Sequence, residues 1–84
     1  MVLLSIGVTA MKVVDPNINR KEVHITNQDT ADEVIRAHEN SAEVATSAHV
    51  AYNRETIVFR GPIAQLVIYV RASASTSVTV SEVF

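Results

Sequence analysis

Apolar and polar positions along this chain follow the period of a strand over most of its length. Residues 2–14 are rich in Val, Leu and Ile and carry no charge before Lys12, the pattern of a strand covered on both faces. Asp15-Pro16-Asn17 then marks a turn, because proline presets φ and short polar side chains bond nearby backbone. Over 21–26, Val23 and Ile25 alternate with Glu22, His24 and Thr26, as in a strand with one dry face. Residues 56–60 form another strand, preceded by a turn at Asn53-Arg54-Glu55 and followed by the turn signal Gly61-Pro62. A strand over 64–72 places Leu66, Ile68 and Val70 on one face and Val67 and Tyr69 on the other. Over 77–83, Val78 and Val80 alternate with Ser77, Thr79 and Ser81.

The middle of the chain reads differently. Thr30-Ala31-Asp32-Glu33 matches a capping box, in which the Thr30 hydroxyl and the Glu33 carboxylate each satisfy an amide at a helix start. Asp29 and Asp32 suit the positive end of a helix dipole. Val34, Ile35 and His38 continue one helical face, so the pattern predicts a helix over 30–39. Residues 43–52 fit two templates. A helix through Tyr52 would align Ala42, Ala45, Ala48 and His49 with that face, whereas a strand would align Val44, Thr46, Ala48, Val50 and Tyr52. Asn40-Ser41 interrupts the helical run and the β-branched residues favour a strand, so 43–52 is read as extended, with the longer helix as the alternative. The expected fold is a single α+β domain over 1–84: a small, mainly antiparallel sheet or sandwich of five to six strands with one helix, about 30–39, packed on it.

Composition narrows the function. A chain of 84 residues buries only about 60–65% of its unfolded surface. It has no cysteine, so neither disulfides nor thiolate-bound metal can add stability, and association is the remaining route. Met1–Val8 is apolar without a basic stretch before it, so no signal peptide is expected. No window approaches the ~20 apolar residues of a helical membrane span. A soluble protein of the cytoplasm or of a virion is expected. The net charge of -2, and a single adjacent basic pair, Arg20-Lys21, followed by Glu22, argue against a nucleic-acid partner.

Candidate chemistry is sparse. His24 falls on the outward face of a strand. His38 and His49 would stand about 16 Å apart on a continuous helix, too far to share a metal ion. Asp29, Asp32, Glu33, Glu39 and Glu43 are explained by helix capping and a solvated face. Ser73, Ser75, Ser77 and Ser81 lie in no nucleophile elbow, and two glycines make no phosphate loop or dinucleotide fingerprint. No catalytic, metal or cofactor-binding residue is assigned, and an enzyme is not expected.

Charge distribution is the most informative feature. Residues 1–11 carry no charged side chain and residues 61–84 carry only Arg71 and Glu82, so fourteen charges fall between Lys12 and Arg60. Both ends form strands that largely lack the lysines, prolines or bulges that blunt sheet edges. Either they occupy central sheet positions or they pair with another subunit. The expected association surface comprises Val2, Leu4, Ile6, Val8, Val78, Val80, Val83 and Phe84. The expected function is a non-catalytic, self-associating structural or accessory subunit of virion, shell or filament type, with further copies or a larger protein complex as partner. A small regulatory or effector module that binds a partner protein or small ligand is the alternative.

Overall fold

The computed structural model describes residues 2–28, 34–47, 49–52 and 54–84. Eight strands run through them: β1 (Val2–Ile6), β2 (Met11–Val14), β3 (Glu22–Asn27), β4 (Ile35–His38), β5 (Val50–Ala51), β6 (Thr56–Arg60), β7 (Ile68–Ala72) and β8 (Thr76–Val83). Short 3-10 turns occupy Val44–Thr46 and Gly61–Gln65. The strands form two sheets of order β1-β8-β3-β6 and β2-β7-β4-β5, and every pairing is antiparallel.

The pairings β4/β5, β3/β6, β2/β7 and β1/β8 are nested. The chain is in effect one long hairpin with its tip between β4 and β5, rolled so that successive pairs fall in alternate sheets. Val2 faces Val80 and Glu22 faces Arg60, so partner positions add to 82 in both outer and inner ladders of the first sheet. The two arms therefore turn the corner between sheets in equal lengths of chain. This is the jelly-roll topology of two interlocked Greek keys.

The core lies between the sheets. Ile6, Val23, Ile25, Ile57, Phe59, Val78 and Val80 of the first sheet meet Val14, Ile35, Ala37, Ala51, Ile68, Val70 and Ala72 of the second. Each strand contributes alternate residues, as the two-residue period of extended backbone requires. Asn27 is buried on the inner face of β3, where its Nδ2 donates to the Ala51 carbonyl at 3.2 Å, a bond between the sheets.

The helix predicted over 30–39 is corrected by the structure. Ile35–His38 is strand β4, hydrogen-bonded between β7 and β5. The capping box Thr30–Glu33, with Asp29 and Asp32, lies outside the described residues. Among the described residues the fold is accordingly nearly all sheet, not α+β, and the strands there number eight instead of five or six. The physical reason is an ambiguous window. Val34, Ile35 and His38 fit a helical stripe, but Ile35 and Ala37 face the core while Arg36 and His38 face out, which is equally a strand pattern. Helix preference over four residues is worth only a few tenths of a kcal/mol each. Two flanking strands offering ladder partners and a dry face outweigh it.

Other boundaries shift for the same reason. The stretch 2–14 is two strands, parted at Gly7–Ala10 where the chain crosses to the other sheet. The described residues of 43–52 form neither one strand nor one helix, Ala48 lying outside them; the Val44–Thr46 turn precedes the two-residue β5. Leu66 precedes β7 and is exposed, because the strand starts only at Ile68.

One side chain holds the second corner. Arg20 is 1% exposed. Its Nε donates to the Ala64 carbonyl at 2.6 Å, Nη2 to the Leu66 carbonyl at 2.8 Å, and Nη1 to the Asp15 carbonyl at 2.9 Å and to Glu82 Oε1 at 2.8 Å. The planar fork of donors satisfies carbonyls from both arms of the hairpin at once.

Candidate functional site

Four strands lie at sheet edges: β1 and β6 in the first sheet, β2 and β5 in the second. Three of these edges are blunted. β2 carries Lys12 and a register shift between Lys12 and Val14, and Asp15-Pro16 follows. The Lys12 ammonium sits 2.8 Å from the Asp15 carboxylate, which raises its pKa. β5 has only two residues, and β6 ends on Arg60 and turns at once through Gly61-Pro62. β1 has none of these devices. It carries no charge or proline, pairs with β8 without a shift from Val2 to Ile6, and exposes Val2 (55%) and Leu3 (66%). Its backbone groups on the side away from β8 have no ladder partner among the described residues.

The residues expected to form an association surface separate into two groups. Ile6, Val78 and Val80 are buried in the domain's own core, and Leu4 is packed against it. Val2, Val8, Val83 and Phe84 remain exposed. Leu3, which the sequence reading omits, is more exposed than Val2 and stands on the outer face of β1. Alternation alone puts Leu3 opposite Val2, Leu4 and Ile6; what was missing was that β1 is an edge.

The outer faces of the sheets differ in chemistry. On the first sheet, β1, β8 and β3 turn out mainly hydroxyls: Ser5 faces Ser77, and Thr26 faces Thr79. At one end of this face Glu22 is gripped from two sides. His24 Nε2 lies 2.7 Å from Oε1, and Arg60 Nε donates to Oε2 at 3.1 Å. These bonds, the histidine's first, hold the Glu22 carboxyl below its usual pKa.

The second sheet turns out Lys12, Tyr69 and His38 in one row and Arg71 beside Arg36 in the next. None of its four strands contains an Asp or Glu. Arg36 Nη1 donates to the Ser47 carbonyl at 2.7 Å, whereas the Arg71 guanidinium has no hydrogen bond or ion pair among the described residues. Arg36 and Arg71 line a cleft of about 350 Å³ together with Val34, Tyr52, Ala72 and Ser73.

Tertiary structure also brings His38 and His49 to one shallow cleft with Glu43. His38 lies 3.5 Å from Glu39 and 3.7 Å from Glu43, and the His49 ring packs edge-on to Phe59 at 4.8 Å. Both rings thus have neighbours within the domain. No protein-family model, curated protein or solved structure matches the chain.

Proposed function

We propose that this protein is a non-catalytic, self-associating subunit of a larger assembly, and that the free edge of β1 is where one copy meets the next. The observation that carries this reading is the contrast among the four edges. Three carry the charge, bulge, brevity or turn that keeps a sheet from growing, and β1 alone presents an uncharged, regular, apolar edge. Such an edge is a template for another strand. Exposed Val8, Val83 and Phe84 supply further apolar surface. The jelly roll occurs in capsid subunits, but also in lectin domains and cupins, so topology is an analogy here and assigns nothing alone.

Sedimentation velocity over a hundredfold range of protein concentration tests the proposal. The parent chain should associate. Leu3→Lys should shift it to a monomer that still unfolds cooperatively, because the Leu3 side chain lies outside the core cluster, and its melting temperature should no longer depend on protein concentration. A parent that stays monomeric at high concentration would sink the reading. A Leu3→Lys variant that assembles like the parent would remove β1 from it.

A further inference from the structure

We infer that the cleft between Arg36 and Arg71 is a binding site for a small phosphate monoester that carries a planar ring, of the nucleoside monophosphate class. The inference does not depend on how β1 associates.

Arg36 and Arg71 are directly opposite on adjacent antiparallel strands, β4 and β7. Side chains so placed start about 5 Å apart, and like charges there repel. Surface arginines commonly relieve such repulsion with a carboxylate, yet the strands of this sheet contain none, and neither guanidinium has an ion pair among the described residues. Arg36 is held in place through one nitrogen by the Ser47 carbonyl, which leaves its other donors available. Arg71 is only partly exposed and keeps all five of its guanidinium donors unused among the described residues.

Two adjacent guanidiniums call for more than one negative charge. A phosphate monoester carries about -1.5 to -2 at neutral pH and presents three acceptor oxygens, so it can engage both forks, which a single carboxylate does less completely. The cleft, at about 350 Å³, is larger than a phosphate group and falls in the size range of small-molecule sites. Its remaining wall includes Tyr52, 60% exposed, whose ring offers a flat surface for a planar group. The site is built on two paired strands, and the backbones of Ser73 and Val34 are bonded to each other at 2.9 Å at its end, so its geometry is largely preset.

The test is titration of the full chain with inorganic phosphate, adenosine monophosphate and acetate at constant ionic strength, followed by amide shifts in two-dimensional NMR. Phosphate and the nucleotide should both saturate, with shifts centred on Arg36, Arg71 and Ser73, and the nucleotide should bind more tightly. Acetate should be weaker than phosphate. Arg71→Ala and Arg36→Ala should each weaken both phosphate ligands at least about tenfold. Arg71→Lys, which keeps the charge and loses the fork, should also weaken them, and this variant covers the case in which an alanine disturbs the sheet. Tyr52→Ala should remove only the nucleotide's advantage over phosphate. Absence of saturable binding, equal binding by the arginine variants, or acetate binding as well as phosphate would overturn the inference. So would a single-stranded oligonucleotide that binds with a steep salt dependence and shifts Lys12 and Tyr69 as strongly as Arg71, since that behaviour marks an extended nucleic-acid surface.

Discussion

Arg20 donates from Nη1 to Glu82 Oε1 at 2.8 Å, across 62 positions of sequence, and so joins the corner after β2 to the end of β8. The same guanidinium binds carbonyls of Asp15, Ala64 and Leu66. Removing it leaves those acceptors in a site from which it had excluded water. Arg20→Ala should cost about 3–5 kcal/mol in urea unfolding. Arg20→Lys should recover little, because one ammonium cannot reach acceptors spread around a planar fork. A loss below about 1 kcal/mol would mean that water replaces the guanidinium freely. Glu82→Gln should be the milder change, since Glu82 is partly solvated and glutamine keeps an acceptor oxygen.

Thr76 is buried at the start of β8, opposite Ile6, and its Oγ1 has no hydrogen-bond partner among the described residues. An unmatched buried hydroxyl costs free energy that an apolar group of the same shape does not. Thr76→Val should therefore stabilise the domain by about 1 kcal/mol. Thr76→Ser keeps the hydroxyl and loses the methyl, so it should destabilise. Thermal melts of the two variants should move in opposite directions from the parent.

Glu22 sets an acid limit. Its carboxyl is held below the usual range by His24 and Arg60, so the folded state binds the proton less readily than the unfolded chain. The contribution to stability is complete above the unfolded pKa, about 4.3, and is lost as pH falls through the lower folded value. In Glu22→Gln the unfolding free energy should decline less between neutral pH and that acid range than in the parent. Identical acid-unfolding curves would show that the contacts contribute nothing in solution.

Gly61 opens the second corner with φ at +71°, and a Cβ there would meet nothing within 4 Å. Any cost of a side chain is thus conformational. Gly61→Ala should cost about 1–2 kcal/mol. Arg54 occupies the same region at φ 62° without glycine's freedom, so Arg54→Gly should be neutral or slightly stabilising. Chemical denaturation of both variants checks the pair, and an equal loss in both would contradict it.

Much of the strand content was legible in the sequence, because a two-residue alternation against one dry face leaves a direct mark. Val23 and Ile25, Ile57 and Phe59, and Val78 and Val80 all face the core as their spacing implies. The turn at Gly61-Pro62 follows from local chemistry, and the charge-free ends were visible as composition. Tertiary structure alone decided the rest. Ile35–His38 suits a helix or a strand equally, and the neighbouring strands β7 and β5 resolve it. Arg20 reads as half of an exposed basic pair until a corner closes around it. Arg36 and Arg71 stand 35 positions apart in a chain of net charge -2, and only strand register sets them side by side. Periodicity records which face of a strand is dry. It does not record which strand lies beside it, and that neighbour determines both which edge stays open and which charges must meet.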